Sequence, residues 1–378
     1  MQWNTSSSSP VTKPKLLAFH LPQYHPIPEN DEWWGPGFTE WRNVARAIPL
    51  FPGHYQPHLP ADLGYYDLRL PEVRQQQADL AGQYGIHGFC YYHYWFSGKQ
   101  LLERPVAEIL SSGQPDYPFC LCWANESWSR RWIGDDQEIL IEQTYSEQDD
   151  LNHGVHLAQA FSHNFYIKID GRPLFLIYRP GDLPNPNQTL KVFREASNAL
   201  GLLDPYFVAV DAHKVGHDFR HDGFDAILAF SPQLGVSSPD AFQDGRTWRK
   251  LKRNIARAIP SATLKVFDDE TERAKMEEIS RPFPFIPSCF VSWDNSARRG
   301  RNGIIYAGQS PSIFEKYLRK AVLKGMEHPH KHSLVFVNAW NEWAEGNKLE
   351  PDIKNGHGYL EACRNVLSEF RQESGRNL

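Results

Sequence analysis

The chain has 378 residues, is 41% hydrophobic and carries a formal net charge of −5. That much apolar material builds a core and excludes disorder over most of the length. The mildly acidic balance argues against a nucleic-acid or anionic-membrane partner. The surplus is aromatic: 12 Trp, 16 Tyr and 22 Phe. Many of these, such as Trp33, Trp34, Tyr91, Tyr92, Tyr94, Trp95, Trp128 and Trp132, stand in polar company, where core packing explains them less well.

Residues 1–14 are polar and Ser-rich, with no apolar stretch of the kind a secretory signal carries, so a disordered tail and a cytoplasmic location are expected. No apolar run approaches membrane-spanning length. Cys90, Cys120, Cys122, Cys289 and Cys363 mostly lie inside apolar runs, as buried reduced thiols do. The spacing of Cys120 and Cys122 is wrong for a zinc or redox pair.

Taken in order, KLLAFH at 15–20 reads as a short strand, followed by a long Pro/Gly/Trp-rich loop to about residue 70. Residues 71–84 read as a helix with Pro71 at its first position. Strands are then expected at 88–95, 119–124, 173–178, 205–210, 226–230, 285–291 and 334–337. Helices are expected at 101–112, 146–163, 189–200, 311–326 and 359–370, with a basic surface helix near 246–257. Eight strands, nearly all followed by a helix, predict parallel βαβ units. The fold class is therefore α/β, a (β/α)8 TIM barrel occupying 15–372 as one catalytic domain. A doubly wound open sheet is the alternative. The irregular insertions, at about 25–70, 125–145, 231–284 and 293–310, fall after strands one, three, six and seven, on the face where barrel enzymes place their chemistry.

The chemistry gathers at the same ends. The last strand stops in Asn338-Ala-Trp-Asn-Glu-Trp-Ala-Glu-Gly, which sets Glu342 and Glu345 beside Trp340, Asn341 and Trp343. Paired carboxylates among tryptophans suit glycosidic cleavage: one donates a proton, the other accepts one, and indoles stack on pyranose faces. Three residues apart, the two acids would point oppositely on an extended strand. They meet only if the chain turns, as Gly346 allows.

Other candidates for the pocket are Tyr24 and His25 after strand one, and Glu40 with Trp41 as part of a lid. Trp123, Asn125 and Glu126 follow strand three, Tyr178 strand four, Asp211 and His213 strand five, and Trp293 and Asp294 strand seven. An ion pair of Glu126 with Arg130 or Arg131 is its bland reading. Along strand two, Tyr92 and Tyr94 share a face and Trp95 takes the other, with Trp95 the stacking candidate. The His54/His58 spacing imitates a metal pair, but prolines break any helix that would align them, so no metal and no cofactor are expected. His328, His330 and His332 read as a solvated loop. No dinucleotide fingerprint, Walker loop, nucleophile elbow, zinc helix or Asp-x-Asp triplet is present.

These motifs carry a resemblance. FHLPQYH (19–25), GFTEW (37–41), PLFPGHYQPHLP (49–60), GIHGFCYYHYWF (85–96), CLCWANESW (120–128) and NAWNEWAEG (338–346) resemble WbsX-type proteins, glycosyltransferases associated with bacterial surface polysaccharides. The barrel pattern and the NEWxEG motif also resemble glycoside hydrolase family 99, retaining endo-α-mannosidases and endo-α-mannanases. That likeness implies Glu342 as the base that deprotonates the sugar 2-hydroxyl and Glu345 as acid/base. Ala344 stands where family 99 typically has His, a departure that bears on which sugar binds. The expected substrate is an α-linked oligo- or polysaccharide, cleaved or transferred. The alternatives are a nucleotide-sugar-dependent glycosyltransferase and a non-catalytic carbohydrate-binding barrel.

Overall fold

A computed structural model describes residues 13–129, 138–213, 216–237, 264–327 and 333–373. Its organising feature is a ring of eight parallel strands: β1 (Lys15–His20), β2 (Ile86–Phe96), β3 (Phe119–Trp123), β4 (Arg172–Ile177), β5 (Tyr206–Val210), β6 (Ala226–Ala229), β7 (Ile286–Phe290) and β8 (Leu334–Asn338). Each pairs with its neighbours in sequence, and β1 closes the ring by pairing with both β8 and β2. The expected (β/α)8 barrel is the fold found.

The strand sequences are apolar on both faces because both are covered. Phe19, Phe230 and Phe336 meet inside the ring at centroid distances of 5.3 and 5.5 Å from Phe19, and Tyr92 stacks on Phe19 at 5.4 Å. Outside run the helices α1 (Pro28–Trp34), α2 (Glu40–Ala45), α3 (Pro71–Gln83), α4 (Arg104–Ser112), α5 (Glu147–Phe161), α6 (Pro186–Ala199), α7 (Asp269–Glu277), α8 (Ser296–Arg299), α9 (Pro311–Glu327) and α10 (Gly358–Glu373). Their starts are written locally. Ser146 accepts from Asp149 N at 3.1 Å, and Asn185 from Gln188 N at 3.3 Å ahead of Pro186. Asp268 likewise accepts from Thr271 N at 2.9 Å. Each satisfies an amide the first helical turn leaves bare.

Some boundaries differ from the sequence reading: the helix expected from 189 begins at Pro186, and the strand expected from 88 begins at Ile86. The helix expected from 101 begins at Arg104, because β2 runs on to Phe96 and folds back through Ser97 and Gly98 into a hairpin with 99–101. Both turn residues have positive φ, 47° and 86°, which nothing in the apolar pattern announces. The basic stretch 246–257, Arg130, Arg131, Trp132, His328, His330, His332 and most of the N-terminal tail lie outside the described residues. The long insertion after β1 carries α1 and α2 and reaches across the barrel mouth to the segment after β8, where Pro60 bridges to Asp352. Among the described residues no helix is long and apolar enough to cross a membrane.

Candidate active site

Beyond β8 the chain does turn. Asn341 and Glu342 pair antiparallel with Asn347 and Lys348, and Trp343–Glu345 form a 3-10 turn closed by Gly346 at φ 64°. A Cβ at Gly346 would lie 3.2 Å from that of Asp294, so the position needs glycine both for its conformation and for its room. This turn brings Glu342 and Glu345 together. Their carboxyls share a hydrogen bond, and both approach the same guanidinium nitrogen, Nη1 of Arg298, at 3.4 Å and 2.8 Å. The other side of that guanidinium, Nε, bonds Glu40 at 3.0 Å.

Arg298 sits on α8, in the insertion after β7, and Glu40 opens α2, in the insertion after β1. Three acids therefore surround one cation at the mouth of the barrel. Burial works against the Arg298 charge, and Glu40, Glu345 and Glu342 overcome it, holding the guanidinium firmly protonated. Glu342 is 9% exposed. Burial, with the Glu345 charge beside it, pushes its carboxyl well above the usual range despite Arg298. A negative charge so close makes it costly for the Glu342 carboxyl to ionise as well.

The inward tyrosines complete the mouth. Tyr92 and Tyr94 stack at 6.4 Å on the same face of β2, as alternation requires, and Tyr178 meets Tyr92 edge-on at 5.8 Å. Tyr94 accepts a bond from Gln23 Nε2 at 2.9 Å. Burial first, then the nearby acids Glu126, Glu342 and Glu345, push the Tyr178 hydroxyl up. His213 lies edge-on to Tyr178 at 5.2 Å. Burial holds it neutral, with Arg179 acting in the same sense. Glu126 is half-buried and bonds Arg179 at 3.0 Å. Among the candidates, Glu40, Tyr94, Glu126, Tyr178, His213, Glu342 and Glu345 thus gather in one place.

The remaining candidates do other work. Trp95 points outward, donating its indole N–H to Asp149 at 3.0 Å and stacking on His153 at 4.6 Å, so it is no platform for a sugar at the mouth. Trp123, Trp340 and Trp343 are at most 1% exposed and offer no free face. Asn125 ties Arg179 to β3, accepting from its N–H at 2.8 Å and donating to its carbonyl at 2.9 Å. Asp211 is fully buried in an ion pair with Arg281 at 2.8 Å. His25 is buried on the side of Asp67, Arg69 and Arg104 and pushed down to about 4, chiefly by burial.

Tyr24, Trp41 and Asn341 form the scaffold of the turn. The Tyr24 hydroxyl donates to the Asn341 carbonyl at 2.5 Å and accepts from the Trp343 N–H at 3.1 Å. Trp41 wedges between Tyr24 and Trp343 at 4.6 and 5.4 Å. The Asp294 backbone N–H donates to the Glu345 carbonyl at 2.7 Å, while its carboxylate takes His54 at 2.8 Å and Gln56 at 2.7 Å. His54 therefore clamps a loop, and His58 contacts Lys348 at 3.1 Å. Trp293 belongs to an apolar cluster with Phe290, Ile304 and Tyr306. Among the described residues no group of three or more His, Cys, Asp or Glu is arranged to hold a metal ion.

Sequence reasoning missed Arg298, which lies in a stretch that reads only as a polar loop. The available signal was charge: two buried acids on a turn call for a cation, and that loop contains Arg298, Arg299 and Arg301.

The comparisons with known proteins agree with this architecture. The chain is 41% identical over 375 residues to the uncharacterized protein WxcX of Xanthomonas campestris pv. campestris strain B100, covering 96% of this chain. It spans about half, 51%, of the length of that relative. Two structures of the GH99 endo-alpha-mannosidase from Bacteroides thetaiotaomicron, one in complex with BIS-TRIS-propane, superpose with TM-scores of 0.56 and 0.58 at 14% and 15% identity. They match over 95% and 96% of this chain and 98% of theirs, which shows a shared fold. The family description Glycosyltransferase WbsX matches residues 16–363, and the chain belongs to that family.

Proposed function

We propose that this chain is a glycan-active enzyme that cleaves or transfers α-linked sugars of a bacterial surface polysaccharide, with Glu342 and Glu345 as its reactive pair. The observation that carries the reading is the meeting of these two carboxyls on Arg298 Nη1, beside Tyr92 and Tyr178, in a mouth with more acids than cations. The buried cations Arg273 and Arg281, by contrast, are each paired with one acid, Asp269 and Asp211. A proton-transfer site needs two carboxyls of unlike protonation; burial favours the proton on Glu342, so it passes to Glu345 before Glu342 serves as base.

In the mechanism implied by the family-99 likeness, Glu342 takes the proton of the sugar 2-hydroxyl as O2 attacks C1. The C1–O bond to the leaving group breaks as Glu345 protonates the departing oxygen, giving a 1,2-anhydro sugar. Water, or an acceptor hydroxyl, then attacks C1 and gives its proton to Glu345, while the C1–O2 bond breaks and Glu342 returns its proton to O2. The cycle needs one proton on the pair at the start, carried by Glu345. Contact between the carboxyls lets a proton resting on Glu342 reach Glu345. Arg298 and Glu40 set how readily the second carboxyl ionises.

The test is Glu345→Gln assayed on a panel of α-mannans and bacterial O-polysaccharides, with products read by NMR for linkage and anomeric outcome. Turnover should fall by about a thousandfold while glycan binding persists; unchanged turnover removes Glu345 from the mechanism. The family description favours a second reading, a nucleotide-sugar-dependent transferase. Saturable binding of a nucleotide sugar through its nucleotide portion would select it. A purely lectin-like barrel would show binding without turnover in the unaltered protein.

A further inference from the structure

Behind the turn that carries Glu342 and Glu345 lies a carboxylate with no part in the chemistry above. Glu350 is 2% exposed, and its two oxygens accept from three separate elements. Oε2 accepts from the Trp343 indole N–H at 2.6 Å and from the Tyr66 hydroxyl at 3.0 Å, while Oε1 accepts from Gln77 Nε2 at 2.7 Å. Tyr66 belongs to the insertion after β1, Gln77 to α3, and Trp343 stands between the reactive acids. The Tyr66 hydroxyl accepts in turn from Asn341 Nδ2 at 3.1 Å. Asn341 clamps the backbone of Leu21, just past β1, through bonds of 2.7 and 3.0 Å. Residues 341 and 343, the two neighbours of Glu342, are thus held by one buried acid and its partners. Packing alone would be served as well by an apolar side chain, without the cost of desolvating a carboxylate.

We propose that Glu350 is the positioning residue of the reactive pair: its carboxylate fixes the Trp343 indole, and through it the direction in which the turn presents Glu342 and Glu345. The functional half of this rests on the reading of those two acids given above. The structural half does not.

The same geometry makes the latch sensitive to protons. Burial pushes Glu350 up to about 7 against the pull of its donors Trp343, Gln77, Tyr66 and Trp340. The groups that face it do not change charge near that pH. Tyr24 and Tyr66 are pushed up by burial. His20, which contacts Gln77 at 3.2 Å, is held neutral by burial at about 3. Lys348, 5.0 Å over the Trp343 ring, is paired with Asp352 at 2.8 Å. A proton on Glu350 takes up one of its acceptor sites and weakens the bonds its donors make to it, and the short indole bond is the one that bears on the active turn.

The test follows the Trp343 indole N–H by nitrogen-edited NMR on the full chain, its resonance identified by its loss in Trp343→Phe. It should titrate with a midpoint near 7, and in Glu350→Gln it should stay flat through that range. Tyr66→Phe removes one donor to the anion and should move the midpoint upward. A resonance that is flat in the unaltered protein, or that titrates identically in Glu350→Gln, overturns the proposal. Should Glu350→Gln fail to fold, an unmoved midpoint in Tyr66→Phe overturns it instead. On activity, Glu350→Gln should lower kcat by about tenfold to a hundredfold with KM little changed, the signature of misdirected groups rather than lost binding. It should also remove a limb near pH 7 from the kcat profile. If Glu345→Gln leaves turnover intact, the reading of the pair has failed while the NMR titration still decides the latch.

Discussion

Two of the buried charge clusters in this barrel are built on opposite plans. Behind β7, Arg273 bonds Asp269 at 2.8 Å and donates to the carbonyls of Phe290 and Val291, each at 2.9 Å, with its guanidinium 3.7 Å over the Phe290 ring. Nearby, Arg281 bonds Asp211. Here each cation is paired with one acid. At the mouth, Arg298 faces Glu40, Glu342 and Glu345 together. The first plan fixes strands and helices in place. The second leaves negative charge in excess inside a low dielectric, which the cluster relieves by keeping a proton. A buried acid becomes chemically useful where its charge is unmatched, and the contrast between the two sets separates structural acids from reactive ones.

That contrast can be broken from the structural side first, where the expected effect is largest. Arg273→Met leaves Asp269 buried without its cation, and should destabilise the fold by about 3–5 kcal/mol. Denaturant unfolding would measure this, and the pH dependence of activity in the remaining folded protein should not move. Arg298→Met should behave differently, because acids that already share a proton can take up another. Its loss of stability should be smaller than that of Arg273→Met and should shrink as the pH is lowered. The acid limb of kcat/KM should move to higher pH, since Glu342 loses the charge that favours its ionised form. An equal stability loss from both substitutions at every pH would erase the distinction between the two plans.

Glu40→Gln sharpens the comparison with a smaller effect. It keeps the shape of the Arg298 contact and removes one negative charge from the neighbourhood of Glu342. The Glu40 charge adds to the upward push on that carboxyl, so the acid limb should fall, by about one pH unit at most. A limb that rises, or stays where it was, would place Glu40 outside the electrostatics of the pair.

The legible part of this molecule was the part written in apolar periodicity. All eight barrel strands announce themselves as short runs such as KLLAFH and PLFLIY, and their alternation with helices fixes the closed ring. The meeting of Glu342 and Glu345 was legible too, because Gly346 marks a turn. Side-chain direction was legible only in part. The period of two put Tyr92 and Tyr94 on one face and Trp95 on the other, but not which face looked inward, and Trp95 proved to lie under α5. The tryptophans around the acids read as sugar platforms because residue type does not encode depth; Trp340 and Trp343 are walls of the turn. Arg298 and Glu350 were illegible for a related reason. Their partners lie far away in sequence, Glu40 for Arg298 and Tyr66 and Gln77 for Glu350, and only the folded insertions bring them together.

Glu350 gives the last test, on stability, and its sign differs from that of an ordinary surface carboxylate. Burial raises its folded value to about 7, above the ~4.3 of an unfolded chain. The folded state therefore holds the proton more tightly than the unfolded state does between those values. The stabilisation from this linkage is complete below the unfolded value and is lost as pH rises through about 7. Glutamine cannot ionise, so Glu350→Gln has no such linkage. Across that window the unaltered protein should lose stability relative to the variant as pH rises, by no more than about 1.4 kcal/mol per pH unit. Unfolding midpoints of the two proteins compared at a series of pH values would measure the slope. A difference that is constant across the window would mean that Glu350 keeps one charge state throughout, and that the latch on Trp343 does not respond to protons.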